Sequence, residues 1–267
     1  MSDVIGQLRN YVLREAARIL VRSGAFRRHL ASFDPIFEPE FLRAVGMLRN
    51  ASDEDAIFIR DLVISTADTK QDLWVLHETQ HKTSGFFVEF GAADGILLSS
   101  TLMLERDFGW SGILAEPHPA WHADLGRNRS AEIDHRCVFT RTGERVKFAA
   151  TRHAGLATII DFLATDGHAE SRAEHEIIDV ETVSLNDLLE SHRAPQRIDY
   201  ISVDTEGSEL SILEQFDFKT WDVSLFAVEH NRTAQEHALD ELMFRNGYER
   251  RFAAYSPIDA WYRKKTC

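Results

Sequence analysis

The sequence predicts an α/β fold in which a mostly parallel sheet carries helices on both faces, preceded by an N-terminal helical extension. From residue 85 onward, short apolar segments alternate with segments of helical periodicity, as in repeated strand–helix units. The apolar segments are rich in β-branched and aromatic residues, which is typical of buried parallel strands. Four of them end in acidic residues, and ligands bind beyond the carboxyl ends of strands in such sheets.

Length and composition are those of an ordinary globular protein. The 267 residues are 44% hydrophobic and 27% charged, enough for one substantial core with an extension. No apolar run reaches the roughly 18–20 residues of a membrane span, and the N-terminus lacks a secretory signal pattern. Cysteine occurs only at Cys137 and Cys267, which favours a reducing compartment and a cytoplasmic location. The net charge of −13 argues against a nucleic-acid partner.

The N-terminal extension, residues 1–70, differs in charge from the domain predicted at residues 71–267. Residues 1–30 contain six arginines and two acidic residues, a local charge of +4. Apolar residues in 4–20 recur near the helical period, with arginines between them. Such a helix suits an anionic membrane surface, here the inner face of the membrane, or a packing helix in a homodimer. Both interpretations stay open.

The predicted elements begin with two helical segments in the extension, at residues 40–50 and 52–65, and the second starts with a capping sequence. The helix Gln71–Glu78 then leads the chain into the sheet, and Phe86–Phe90 forms the first strand. The next predicted elements are a helix at 97–107, a strand at 112–116, a helix at 119–127, a strand at 136–139 and its hairpin partner at 144–150.

The second half continues the alternation of strands and helices. A strand at 177–183 precedes Ser184, whose side chain is expected to cap the helix Leu185–Ser191. Two short apolar strands, at 198–203 and 225–229, each end in acidic residues, and a helix at 209–216 lies between them. The carboxyl ends of these strands should meet at one edge of the sheet.

The turn after the first strand indicates which cofactor to expect. Residues 89–95 read E-F-G-A-A-D-G, in place of the G-x-G-x-x-G of dinucleotide enzymes. A carboxylate at Glu89 should repel phosphate and suit the ammonium and sulfonium of S-adenosylmethionine. Asp94 as a helix N-cap is an alternative to a cofactor contact. Close backbone approach or hydrogen bonds to the cofactor are expected at this turn from Gly91, Ala92, Asp94, Gly95 and Ser99.

A second acid supports an adenosine-containing ligand. Glu116 ends the second strand 25 residues after Gly91, the spacing at which an acid accepts hydrogen bonds from ribose hydroxyls. Pro117 stiffens the loop that follows and is expected to flank the adenine. Because nicotinamide enzymes share this acid, a dehydrogenase remains an alternative, as does a solvated strand-end glutamate.

The candidate reaction centre lies at the last two acidic strand ends. Transfer of a methyl group to a hydroxyl requires a positioned oxygen and a group that takes its proton. Asp204, Glu206 and His230 are the candidates for this role. Asp204 with Glu229 and Asn231 also offers the oxygen ligands that Mg²⁺ prefers. The alternative is that Glu206 and Glu229 only bind neighbouring backbone N–H groups.

With these motifs in place, the chain resembles the FkbM family of S-adenosylmethionine-dependent O-methyltransferases. The matching segments are residues 87–95, 109–117, 181–189 and 198–209, so the resemblance spans roughly residues 71–250. It implies a class I methyltransferase fold, which is Rossmann-like. It places Glu89, Gly91 and Gly95 at the methionine part of the cofactor, Glu116 at the ribose, and Asp204 with Glu206 at the reaction centre. One departure is Ser100, where relatives often carry asparagine.

The resemblance also implies an acceptor. The first acceptor that it implies is a hydroxyl of a sugar or glycan, as in lipopolysaccharide or other surface polysaccharide. A lipid-linked sugar would be compatible with the basic N-terminal extension. The second is a polyketide or other small metabolite. Two classes outside the resemblance are the nicotinamide-dependent dehydrogenase and a binding domain that has lost the reaction.

Overall fold

The computed structural model describes residues 65–151, 155–165, 168–253, 256 and 258–265. The helices predicted at 4–20 and 40–50, and nearly all of the one at 52–65, lie outside the described residues. The described helices are α1 (Gln71–Glu78), α2 (Leu102–Phe108), α3 (His122–Asn128), α4 (Leu185–Ser191), α5 (Glu209–Glu214) and α6 (Gln235–Arg245).

A seven-stranded sheet forms the centre of the domain, in the order β10-β11-β9-β8-β1-β2-β3. The strands β1, β2, β3, β8 and β9 are parallel, and β11 pairs antiparallel with both β9 and β10. This confirms the predicted mostly parallel α/β fold. The strands are β1 (Phe86–Phe90), β2 (Ser111–Ala115), β3 (Glu132–Asp134), β8 (Arg197–Val203), β9 (Asp222–Glu229), β10 (Tyr248–Arg251) and β11 (Asp259–Lys264).

Strand β1 shows why the sheet carries cover on both faces. Its side chains alternate between two apolar clusters, as the period of two in a strand requires. Val88 and Phe90 belong to one cluster, whereas Phe87 belongs to the other, with Trp74 of α1 and Trp261 of β11. The two tryptophan rings stack with centroids 5.3 Å apart. A strand buried on both faces explains why residues 86–90 form a nearly continuous apolar run.

The order of the strands reverses between β1 and β8. From β1 the chain crosses to β2 and β3 on one side, and from β8 it crosses to β9 on the other. Phe90 of β1 is paired with Val203 of β8 and with Ala115 of β2, so three carboxyl ends lie side by side. Such a switch point is where open α/β sheets bind ligands.

A smaller sheet, with the order β4-β7-β5-β6, corrects the predicted hairpin. Strand β5 pairs antiparallel with β7 and β6, while β4 pairs with β7 in parallel. The turn between β4 and β5 runs along the end of β7, because the Thr182 hydroxyl donates to the Arg141 carbonyl at 2.6 Å and Gly143 N–H donates to the Thr182 carbonyl. The strands are β4 (Cys137–Phe139), β5 (Arg145–Thr151), β6 (Thr158–Ile159) and β7 (His175–Ser184).

The helix predicted at 97–107 begins only at Leu102. Before it, the Asp94 side chain accepts hydrogen bonds from the backbone N–H groups of Ile96 and Leu97 at 2.9 and 2.8 Å. Gly95 and Leu98 adopt positive φ values of 79° and 60°, which interrupts a right-handed helix. Asp94 therefore caps a turn rather than the helix.

The remaining predicted helices and strands agree with the structure to within a few residues. Helix α1 and strand β1 have the predicted bounds. Helix α4 has them too, and the Ser184 side chain accepts the Asp187 N–H as its cap. The elements absent from the sequence-based prediction are β3, β6, α6, β10 and β11. Within the described residues, no helix is long and apolar enough to cross a bilayer.

Candidate active site

A cavity opens at the carboxyl ends of β1, β2 and β8, and the smaller sheet covers it. It contains about 570 Å³ of space between atoms, part of it open to solvent. Its lining comes from the three strand ends, from the loop after β2, and from β4–β6 of the cover. The lining residues include Gly91, Glu116, Pro117, Trp121, Cys137, Asp204, Thr205 and Glu206.

Gly91 brings the turn after β1 against the chain that follows β8. A side chain at this position would place its Cβ 2.2 Å from the Asp204 carbonyl oxygen, and φ is +84°. Both facts require glycine, because no other residue tolerates such closeness and this backbone conformation together. The Gly91 and Ala92 N–H groups donate to the Ala115 carbonyl at 3.1 and 3.4 Å. Gly91 therefore lines the cavity as predicted, whereas Ala92 is buried beside it.

Glu89 lies outside the cavity lining, in a satisfied network. One carboxylate oxygen accepts from Ser100 N–H at 2.9 Å, and the other accepts from the hydroxyls of Ser99, at 3.0 Å, and Thr101. Arg129 lies 3.6 Å from the same carboxylate and its side chain is fully buried. Arg129 also lies 2.8 Å from Glu105, so its charge is shared between two carboxylates, and the hydrogen bonds satisfy much of the Glu89 carboxylate. The predicted contact of Glu89 with the methionine part of the cofactor stays a prediction.

Gly95 and Ser99 belong to the same network as Glu89. A Cβ on Gly95 would lie 2.5 Å from Cγ of Arg129, so glycine makes room for the arginine. Arg129 donates to the Ser99 hydroxyl at 3.0 Å and to the Gly95 carbonyl at 3.2 Å. Neither residue lines the cavity, and neither does Asp94. The sequence-based prediction missed Arg129 because it lies 40 positions after Glu89, in no recognisable motif.

Glu116 lies in the cavity wall and is 5% exposed. Its carboxylate accepts the N–H groups of Ala93 and His118, both at 2.7 Å. A carboxylate has about four lone-pair directions, so acceptor capacity remains for a ligand. Burial raises the pKa of Glu116 to about 7, although the two N–H donors act in the opposite direction. Pro117 follows it in the lining, and the half-buried ring of Trp121 lies alongside.

Asp204 and Glu229 form an acidic recess at the ends of β8 and β9. Together with Glu206 they place carboxylate oxygens within 4.8 Å of one another. Asp204 is solvent-accessible and lines the cavity, whereas Glu229 is 9% exposed. Burial first, and then neighbouring negative charges, raise the pKa of both carboxyls well above the ordinary range. In the part of the chain that the structure describes, Oε2 of Glu229 has no hydrogen-bond partner.

Glu206, the third member of this group, is held by a buried arginine. Arg172 donates to Oε2 of Glu206 at 2.5 Å and to the Leu156 carbonyl at 2.9 Å. It is 1% exposed. The Thr158 hydroxyl also donates to the Glu206 carbonyl at 3.0 Å. These contacts fasten the covering sheet to the turn that bears Asp204 and Glu206. Arg172 was not predicted, because it lies in a polar loop before β7.

Glu209 closes that turn from the other side. Its Oε1 accepts the N–H groups of Thr205 and Gly207, each at 2.9 Å, and the Thr205 hydroxyl at 2.9 Å. The backbone at Glu206 has φ +60°, which the turn stabilises with these bonds. The turn after β8 is therefore held by the hydrogen bonds of Glu206 and Glu209, whereas the Asp204 side chain is accessible from the cavity.

His230 is not among the residues that line the cavity, and its role as a base stays a prediction. Its Nδ1 accepts the Arg232 N–H at 3.1 Å, and Nε2 lies 3.2 Å from Arg250. Burial, followed by the charge of Arg250, lowers the pKa of the imidazole, while the acidic Glu236 opposes this. Asn231, also predicted as a metal ligand, follows β9 with φ +46°.

The residues that could hold a divalent cation are Asp204, Glu206 and Glu229. Carboxylate oxygens are suitable ligands for Mg²⁺, and the unpartnered Glu229 oxygen offers one more donor. However, Glu206 already binds Arg172, which lowers its availability. The set therefore fits a metal only in part, and the predicted ligand role of Asn231 stays a prediction.

No curated protein matches the sequence. Among solved structures, the chain is similar to a candidate RNA methyltransferase from Pyrococcus horikoshii, with 9% identity over 74% of this chain and 83% of that one. The TM-score is 0.36, too low to support any argument here. The model of the FkbM methyltransferase domain matches residues 89–250, more than half of the chain. The chain therefore belongs to the FkbM methyltransferase family.

Proposed function

We propose that the protein is an S-adenosylmethionine-dependent O-methyltransferase that methylates a hydroxyl of a sugar or glycan. The observation that carries this proposal is one cavity with Glu116 at one wall and the open Asp204 at another. The first offers acceptor capacity for a ribose, and the second offers a base beside the place where a methyl group would be transferred. Family membership supports the methyltransferase class.

The cofactor is expected with its ribose hydroxyls donating to Glu116 and its adenine along Pro117 and Trp121. Its sulfonium would then lie above Gly91, facing Asp204. This arrangement uses the residues that line the cavity and none of the Glu89 network. A dinucleotide would place a pyrophosphate near the same acidic recess, which is electrostatically unfavourable.

The reaction would be an in-line displacement at the methyl carbon. The acceptor oxygen forms the new C–O bond as the C–S bond breaks, and the electron pair of that bond returns to sulfur. The hydroxyl proton passes to Asp204, whose raised pKa makes it a better base than an ordinary aspartate. The remaining rate enhancement comes from positioning of the reactants, because Glu209 and Arg172 hold the turn after β8 in place.

A sugar acceptor is favoured by the surface next to the cavity. An open groove there is lined by aromatic, imidazole and carboxylate groups, which can stack on a sugar ring and bind hydroxyls. Trp121 lines both the groove and the cavity, so the two adjoin at this residue. The lining of the groove includes His118, Trp121, Thr151, Glu174, His175 and Glu176.

The direct experiment is transfer of a labelled methyl group from S-adenosylmethionine to a panel of glycans and small metabolites. We expect labelled product with a glycan, at a rate that Glu116→Gln lowers through weaker cofactor binding. Glu132→Gln, an exposed glutamate on β3, is the matched control and should behave as wild type. Labelling of polyketide-type metabolites alone would overturn the glycan assignment. Absence of cofactor binding would overturn the proposal itself.

Two further parts of the proposal have their own tests. Activity that survives thorough chelation would dismiss a Mg²⁺ requirement at Asp204, Glu229 and Asn231. Deletion of residues 1–30 should reduce binding to anionic vesicles if the basic extension contacts the inner membrane face. A change of oligomeric state on the same deletion would instead support a homodimer helix.

A further inference from the structure

The acidic recess has negative groups without positive partners. Asp204 and Glu229 form no ion pair with a lysine or arginine among the residues that the structure describes. The adjacent Glu206, in contrast, is bound by the buried Arg172 at 2.5 Å. The protein therefore pairs one of the three clustered carboxylates with a cation and leaves the other two hydrogen-bonded to each other, with the pKa of each raised by burial and by neighbouring negative charge.

Glu229 gives independent evidence that the recess is completed by a ligand. Its Oε2 is buried and has no hydrogen-bond partner in the described chain, while its carboxylate oxygens are directed at those of Asp204 and Glu206. A buried unpaired charge is costly unless a partner arrives. Asp204 lines the cavity and its carboxylate lies within 4.8 Å of that of Glu229, so a positive group bound against Asp204 would interact electrostatically with both.

We propose that Asp204 and Glu229 form a charge-selective site that binds the positive centre of the methyl donor and discriminates against the neutral product. This rests on the proposed use of S-adenosylmethionine and adds what distinguishes substrate from product. The donor carries a sulfonium, whereas S-adenosylhomocysteine carries an uncharged thioether. Once the methyl group has been transferred, the attraction is lost and the product dissociates more readily.

The recess also explains how the protein can bind a cationic donor selectively, although Glu89 already has hydrogen-bond partners of its own. Two carboxylates at about 4–6 Å from a positive charge favour it over a neutral atom of similar size. The rest of the nucleoside makes the same contacts in donor and product. The ratio of the two affinities therefore reports on the recess, and contacts to the ribose or adenine cancel out of it.

The test is calorimetric binding of three ligands to the full chain in the presence of a chelator. The ligands are S-adenosylmethionine, S-adenosylhomocysteine, and sinefungin, in which an amine-bearing carbon replaces the methylated sulfur. For wild type we expect the two cationic ligands to bind about tenfold more tightly than the thioether, a factor equivalent to about 1.4 kcal/mol. Glu229→Gln should bring that ratio to within about threefold of unity, with little change for the thioether.

Glu89→Gln is the matched control, since it removes a glutamate charge from the same region and leaves the recess intact. It should keep the wild-type ratio. If Glu229→Gln does not fold, as judged by its thermal unfolding, Asp204→Asn provides the same comparison. Equal affinity of wild type for all three ligands, or a ratio lost in Glu89→Gln and kept in Glu229→Gln, would overturn the inference. Failure of all three to bind would instead contradict the proposed function.

Discussion

Two acidic turns lie side by side at the carboxyl edge of the sheet, and their chemistry differs. At the end of β1, Glu89 is bound by a backbone N–H, two hydroxyls and the buried Arg129. After β8 and β9, Asp204 and Glu229 face each other without a cation among the described residues. The comparison teaches that a carboxylate at a strand end has a charge available for a ligand only if the fold leaves it uncompensated.

The largest expected effect concerns the compensated turn. Arg129→Met would leave the buried Glu89, and Glu105 at 2.8 Å from the guanidinium, without their positive partner, which typically costs about 3–5 kcal/mol of stability. Denaturant unfolding measures the change. Combining it with Glu89→Gln should recover a substantial part of the loss, because the uncompensated charge is then removed. Additive losses in the double variant would show that the two groups are not coupled.

The open turn is expected to matter for chemistry instead. Asp204→Asn removes the proposed base, so single-turnover methyl transfer should fall by about a hundredfold, within the range typical of general-base catalysis. Unfolding stability should not decrease, because the substitution removes one of two mutually repelling carboxylates. A transfer rate within about threefold of wild type would remove Asp204 from the mechanism.

Substitutions of Arg172 test the connection between the smaller sheet and the turn after β8. Arg172→Lys keeps the positive charge but loses the fork that joins Glu206 to the Leu156 carbonyl. We expect kcat to fall about tenfold, with a larger fall in Arg172→Met. Because the role is positioning, the pH profile of kcat should keep its shape in the lysine variant. A changed profile would indicate that Arg172 acts on the reacting groups directly.

The smallest effect is a pH dependence at Glu116. The ionised carboxylate accepts ribose hydroxyls, so donor affinity should rise as pH increases through about 7, by about tenfold between pH 6 and pH 8. Asp72, another buried acid, also has its pKa raised to about 7, so the comparison with Glu116→Gln is needed. Calorimetric titrations should show a flatter profile for that variant. An unchanged profile would assign the dependence to another group.

The same shift of the Glu116 pKa has a consequence for stability. The folded protein holds this proton up to about pH 7, whereas the unfolded chain loses it near the ordinary value of 4.5. More protons are bound in the folded state within this window, so the free energy of unfolding decreases as pH rises through it. Glu116→Gln should therefore gain stability relative to wild type above pH 7, measured by denaturant unfolding.

Local patterns predicted the elements whose signals are local. The apolar run of β1, the periodicity of α1 and the Ser184 cap of α4 each depend on a few adjacent residues, and their bounds are correct. The tight turn at Gly91 was also predictable, since a strand followed by a glycine indicates close backbone approach. Glu116 lies in the cavity wall, and its expected contact with a ribose stays a prediction.

The contacts and elements that the sequence did not predict arise where distant residues decide the outcome. Arg129 lies 3.6 Å from the Glu89 carboxylate, although the two residues are 40 positions apart. The turn that replaces the start of the predicted helix at 97–107 depends on the side chains of Asp94 and Ser99. Strand β5 binds β7 because the β4–β5 turn is anchored to Thr182. His230 is held by Arg232 and Arg250, which the sequence does not bring near it.

The most direct test of the account is a crystal structure of the protein with sinefungin. We predict its ribose hydroxyls on Glu116 and its amine about 4–6 Å from the carboxylates of Asp204 and Glu229, with the Glu89–Arg129 contact intact. An amine bound against Glu89, with Arg129 displaced from that carboxylate, would contradict the central claim that the second acidic turn supplies the charge.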